Sequence, residues 1–140
     1  MRCAKGTGAI MKIQESAENY LETILILSRN GKRVRPVDIA NELDYAKPSI
    51  SVALKNLRSG GYIETDPDGL IKLTDKGLEI AESMYERHIL ISDWLMFLGV
   101  DGETAVNDAC KMEHVLSQQS FLAIKKHIDK WKNDKNTQEE

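Results

Sequence analysis

The sequence predicts a mainly α-helical chain with one small β-hairpin: three helices and the hairpin first, then a second half built from helices alone. Three observations carry this. Apolar residues recur at the spacing of a buried helical stripe over most of the chain. One stretch changes period, with strand-like runs on either side of Asp66-Pro67-Asp68-Gly69, a strong turn signal. Pro36 and Pro48 stand where helices open, and Gly31, Gly60 and Gly61 stand just past helix ends.

Taken in order, Ala17, Tyr20, Leu21, Ile24, Leu25 and Leu27 form the stripe of a first helix from Ile13 to Leu27, closed by Ser28-Arg29-Asn30-Gly31. Pro36 opens a second helix with Ile39, Ala40 and Leu43 on its apolar face. After the turn Asp44–Lys47, Pro48 opens a third, with Ile50, Ala53, Leu54 and Leu57 inward and Ser59-Gly60-Gly61 as its stop. Tyr62–Thr65 and Leu70–Leu73 are the hairpin strands. Thr74-Asp75 caps a long helix reaching Leu98. From Ile89 to Leu98 that helix is apolar almost all round, which predicts burial on more than one side. Gly99–Gly102 breaks it. One helix then runs to Leu116 and another from Ser117 to Trp131, with Lys132–Glu140 expected to fray.

At 140 residues, 41% hydrophobic and 29% charged, the chain suits one compact domain or two small ones sharing a core. That composition argues against wholesale disorder, a fibre or a disulfide scaffold. No apolar run is long enough to span a membrane, and residues 1–11 are a poor secretory signal and read as a loose leader. Cys3 and Cys110 make no framework, so a reducing cytoplasm is the expected location. The net charge of −3 is uneven: residues 1–76 hold 12 Lys/Arg against 10 Asp/Glu, residues 77–140 hold 7 against 12. The acidity sits in the second half, and the first remains compatible with a polyanionic partner.

Helix, short helix, tight turn, helix and hairpin is the element order of a winged helix-turn-helix, expected over residues 12–76. In that motif the third helix enters the major groove and the hairpin wing reaches the adjoining backbone. The requirement is a helix with one packed face and an outer face of small or polar groups. Lys47, Pro48, Ser49, Ser51, Val52 and Lys55 provide it, with Arg35 and Lys72 flanking. Serine and lysine can bond phosphates or base edges, and Pro48 and Val52 can pack on thymine methyls.

In the second half, residues 77–140, Cys110, Glu113 and His114 stand at i, i+3 and i+4 of one helix. That spacing puts a thiolate, a carboxylate and an imidazole on one face, within reach of a single ion. Asn19 and Glu22 share a face of the first helix, and His88 sits where the long helix turns apolar. Taken singly, each has a plainer explanation as a satisfied core histidine or a surface charge.

Together the residues carry a resemblance. Glu18-Asn-Tyr-Leu-Glu22, Asp38-Ile-Ala-Asn-Glu-Leu43, Lys47-Pro-Ser-Ile-Ser51, Leu73-Thr-Asp-Lys-Gly77, Tyr85-Glu-Arg-His88 and Glu113-His114 resemble the diphtheria-toxin-repressor and manganese-transport-regulator family of metal-activated transcriptional repressors. The resemblance covers residues 14–130. It implies a homodimer whose winged helices bind a palindromic operator of double-stranded DNA and whose helical half dimerises and binds metal. It also implies the short branch, without the SH3-like domain of longer relatives, and control of metal-uptake genes.

Glu22, His88, Glu113 and His114 match ligand positions of the manganese branch. Asn19 stands where that branch has an aspartate, and Cys110 where it has a glutamate; a cysteine there resembles the iron-responsive branch. An amide oxygen is a weaker donor than a carboxylate, and thiolate favours Fe(II), Co(II), Ni(II) or Zn(II) over Mn(II). The expectation is Fe(II), with Mn(II) close behind. Ser92 and Val106 occupy places where the iron branch carries ancillary ligands.

Two other readings belong to different classes. Cys110 with His114 invites an enzyme with a nucleophile and a base, but both sit on one helix with no strand-to-helix turn and no evident oxyanion donors, so no enzyme is expected. The alternative regulator senses redox state or an organic ligand through the Cys110 region.

Overall fold

The structure, a computed structural model, describes residues 13–138; the expected leader, residues 1–11, lies outside them. Six helices and one hairpin follow in order: α1 Ile13–Arg29, α2 Pro36–Leu43, α3 Lys47–Ser59, β1 Ile63–Thr65, β2 Ile71–Leu73, α4 Asp75–Phe97, α5 Gly102–Val115 and α6 Gln118–Gln138. The chain divides into two compact units, and the division falls inside α4 between Glu86 and Arg87. No helix among the described residues is long and apolar enough to cross a membrane.

The first unit is a winged helix-turn-helix. Ile24 and Ile39 are fully buried, and Leu21, Ile50, Leu54 and Ile63 nearly so; each such side chain contributes about 1.5–3 kcal/mol relative to exposure. Asp44 ends α2 in the left-handed region at φ 55°, a conformation Asp tolerates better than bulkier residues, and the turn to α3 follows at once. The hairpin is antiparallel, with Ile63 opposite Leu73, Glu64 opposite Lys72 and Thr65 opposite Ile71. Asp66 Oδ1 accepts from the N–H groups of Asp68 and Leu70, both at 2.9 Å, which folds the wing tip on its own side chain. The Ile71 N–H donates to the Val34 carbonyl at 2.8 Å, tying the wing to the loop before α2.

The start of α4 is bolted to the end of α3. Thr74 Oγ1 donates to the Gly61 carbonyl at 2.6 Å and Lys76 Nζ to the Gly60 carbonyl at 3.1 Å. Lys76 Nζ also lies 4.3 Å from the Tyr62 ring centroid. Gly77 is required here, because a Cβ would overlap the Tyr62 carbonyl oxygen.

In the second unit Gly99, at φ 103°, breaks the chain between α4 and α5. Asp101 caps α5, accepting from the Thr104 N–H at 2.9 Å and the Thr104 hydroxyl at 2.7 Å. These bonds hold its carboxyl below the usual carboxylate range. Ser117 Oγ accepts from the Ser120 N–H at 3.0 Å at the start of α6. Ile91, Ala105, Ala109, Phe121 and Ile128 are buried.

Two expectations are corrected. The end of the Ile89–Leu98 run is not buried on several sides: Met96, Phe97 and Leu98 are 41%, 51% and 59% exposed. Within a single chain a helix buries the side it packs on, so the remaining apolar side of this segment faces outward. The segment after Trp131 is helical to Gln138. It contains no Gly or Pro to stop the helix, which outweighs its polarity.

Candidate metal centre and nucleic-acid interface

The outer face of α3 is free of packing duties. Lys47, Pro48, Ser49, Ser51, Val52 and Lys55 are all exposed, while Ile50, Leu54 and Leu57 turn inward. Val52 is 61% exposed, an apolar side chain displayed in mid-helix among polar ones. Arg35 and Lys72 are also exposed. Asp38 Oδ2 accepts from the Arg35 N–H at 2.9 Å, which fixes the backbone there and leaves the guanidinium outside. A helix with this division between its faces is what major-groove entry demands.

The chemistry of the second unit converges on Glu113. Its side chain is fully buried, with Oε2 3.0 Å from His88 Nδ1 and Oε1 3.3 Å from His114 Nε2. One turn of α5 back, Cys110 is buried too, and donor atoms of Cys110, Glu113 and His114 all lie within 4.8 Å of one another. The i, i+3, i+4 spacing has therefore placed sulphur, oxygen and nitrogen donors together, and α4 has added the His88 imidazole. Contrary to the expectation of reduced cysteines, Cys110 is disulfide-bonded in this structure, so its sulphur becomes a thiolate donor only once that bond is reduced. Asn19 and Glu22 lie one turn apart on α1 in the first unit, 5% and 3% exposed. Asn19 Nδ2 donates to the Tyr45 hydroxyl at 3.5 Å, the outer limit of such a bond.

Sequence reasoning gave no role to Arg87, which is buried beside His88 in α4. Its Nη1 donates to the carbonyls of Glu113 at 3.0 Å and Leu116 at 2.7 Å, and its Nη2 to Gln118 Oε1 at 2.7 Å. The one signal was an arginine at the edge of an apolar stretch, next to a candidate ligand. Tyr45, the partner of Asn19, carried no signal at all, because a tyrosine in a turn usually marks only packing.

With Cys110 reduced, a mixed sulphur, nitrogen and oxygen set in a buried pocket fits a divalent transition ion. It does not fit Mg²⁺ or Ca²⁺, which take oxygen almost alone. Burial favours a bound cation as well, since a carboxylate and imidazoles withdrawn from water gain from a compensating charge.

Two family models divide the chain. Residues 12–78 match the iron dependent repressor N-terminal DNA binding domain, and residues 74–140 match the iron dependent repressor metal binding and dimerisation domain. The chain belongs to the diphtheria-toxin-repressor and manganese-transport-regulator family. Members of this family are metal-dependent DNA-binding transcriptional regulators rather than enzymes, and the redox- or organic-ligand-sensing alternative is not favoured.

Among relatives, the chain is 33% identical over 123 residues to an uncharacterized HTH-type transcriptional regulator of Methanocaldococcus jannaschii, covering 86% of this chain and 98% of the relative. It is 35% identical over 112 residues to the transcriptional regulator MntR of Escherichia coli O157:H7, covering 80% and 72%. A solved structure of the manganese regulator SloR superposes with a TM-score of 0.73 at 27% identity, over 81% of this chain. This chain spans about half of that one, 53%.

Proposed function

We propose that this protein is a cytoplasmic, metal-activated repressor of metal-uptake genes. It binds a palindromic operator as a homodimer, with Fe(II) as its signal and Mn(II) as the nearest competitor. The carrying observation is the buried convergence of Cys110, His114 and His88 on Glu113 within the half that matches a metal-binding domain.

In this reading His88, Cys110, Glu113 and His114 hold the ion, and Asn19 and Glu22 complete the set from α1. A bound ion supplies positive charge that offsets the buried donors. Asn19 and Glu22 belong to the helix leading into the DNA module, so their engagement favours arrangements in which two recognition helices match half-sites about 34 Å apart or a multiple of that. Coupling of this kind typically amounts to about 1–3 kcal/mol. Pro48, Ser49, Ser51 and Val52 face base edges, while Arg35, Lys47, Lys55 and Lys72 contact phosphates. Met96, Phe97, Leu98 and Val115, exposed in the second unit, belong to the face a second copy covers. Asn19 and Cys110, in place of two carboxylates, make the site softer and turn selectivity away from Mn(II).

The test is anaerobic fluorescence anisotropy on DNA from the gene's own upstream region, with reductant and fixed salt. Chelator is compared with Mn(II), Fe(II), Co(II) and Zn(II) at matched free concentrations. The expected result is tight binding only with metal and Fe(II) ranked above Mn(II). An N19D/C110E double variant should reverse that ranking. Equal binding in chelator would remove metal as the signal.

A further inference from the structure

We propose that Arg87 is the positioning residue of the donor cluster, setting where Glu113 and His114 stand relative to His88. This rests on the metal-site reading above. Arg87 and His88 are consecutive in α4, and both grip Glu113, one by the main chain and one by the side chain. The Arg87 Nη1 takes the Glu113 carbonyl at 3.0 Å, while His88 Nδ1 faces the Glu113 carboxylate at 3.0 Å. The same Nη1 takes the Leu116 carbonyl at 2.7 Å, and Nη2 takes Gln118 Oε1 at 2.7 Å. The guanidinium carbon lies 5.0 Å from the Phe121 ring centroid, which adds a fixed plane on the α6 side.

Helix ends leave carbonyls without intrahelical partners, and cations are favoured there. A planar guanidinium satisfies such carbonyls at fixed angles, which a flexible ammonium does not. The last turn of α5, which carries Glu113 and His114, is thus indexed to α4 and to the start of α6.

Charge alone argues the opposite way. A buried cation beside a cation site repels the incoming ion, so an Arg87 that acted only through its charge would weaken metal binding, and removing it would tighten binding. A positioning role predicts that removing it loosens binding. The sign separates the two.

The experiment is an anaerobic Co(II) titration of the full chain with reductant, followed by absorption, which reports affinity and coordination geometry together. Melting by circular dichroism in chelator reports the metal-free fold. For Arg87→Met we expect at least 10-fold weaker Co(II) binding and an altered ligand-field band in a chain that still folds. Arg87→Lys should recover part of the affinity, and Gln118→Ala, at an exposed position, should weaken binding a few-fold with an unchanged far-ultraviolet spectrum. Should Arg87→Met fail to fold, Arg87→Lys and Gln118→Ala decide. Wild-type affinity and band shape in both, or tighter binding in Arg87→Met, overturns the role of Arg87 and leaves the metal site standing. Absence of Co(II) binding by the wild type overturns both.

Discussion

Glu113→Gln separates the two things a fully buried carboxylate between two imidazoles could be doing. Glutamine keeps the volume, so no cavity opens and the apolar packing is unchanged. What disappears is a charge. In the metal-free chain a buried carboxylate is a burden, so the variant should match the wild type or exceed it by about 1 kcal/mol. With metal the order reverses. An ion at 100 times its dissociation constant stabilises the wild type by about 2.7 kcal/mol. At about 3–5 °C per kcal/mol for a chain of 140 residues, the melting midpoint rises by about 8–13 °C. If the amide costs about 100-fold in affinity, the same free ion leaves only about 0.4 kcal/mol, or about 1–2 °C. Anaerobic scanning calorimetry with chelator and with buffered Fe(II) or Mn(II) measures both. A metal-free midpoint lower by more than about 5 °C, with the metal-induced rise intact, would refute the reasoning: Glu113 would then be an anchor for His88 and His114 and not a metal donor.

Lys55→Ala, on the exposed face of α3, should weaken operator and random DNA alike and reduce the log–log salt slope by about 0.9; loss of affinity for operator alone, with an unchanged slope, would mean base contact instead. Gly77→Ala pushes a methyl group into the Tyr62 carbonyl. It should cost about 2–3 kcal/mol, visible as a fall of roughly 10 °C in the melting midpoint, and an unchanged midpoint would show that the junction yields. Asp101 is a group whose folded pKa is depressed, so its cap stabilises fully above the ordinary carboxylate range and that contribution fades as pH falls through the lowered value. Melts from pH 7 to pH 3 should show a shallower acid loss for Asp101→Asn than for the wild type. Identical profiles would exclude the cap as a contributor.

Much of the candidate site was legible in the sequence because the side chains that could serve as donors sit at short, periodic intervals. Cys110, Glu113 and His114 needed only helical geometry to be placed on one face. The outer face of α3 followed in the same way from the inward stripe of Ile50, Leu54 and Leu57. The Arg87 contacts were not legible. They depend on where the ends of α5 and α6 fall relative to α4, and a helical period says nothing about what lies across from a side chain. That the end of α4 stays exposed in the single chain was not legible for a related reason. A segment apolar all round announces that it will be covered, but not whether its own chain or a second copy supplies the cover.

The sequence by itself determined the order of elements, the division of α3 into packed and open faces, and the kind of donors available, since these follow from backbone sterics, residue spacing and side-chain chemistry. Only the tertiary structure decided that His88 meets Glu113, that Arg87 holds that residue by its main chain, and that Gly77 must be glycine. Those are contacts between elements distant in sequence, set by close packing among whole helices and turns, and no local rule contains them.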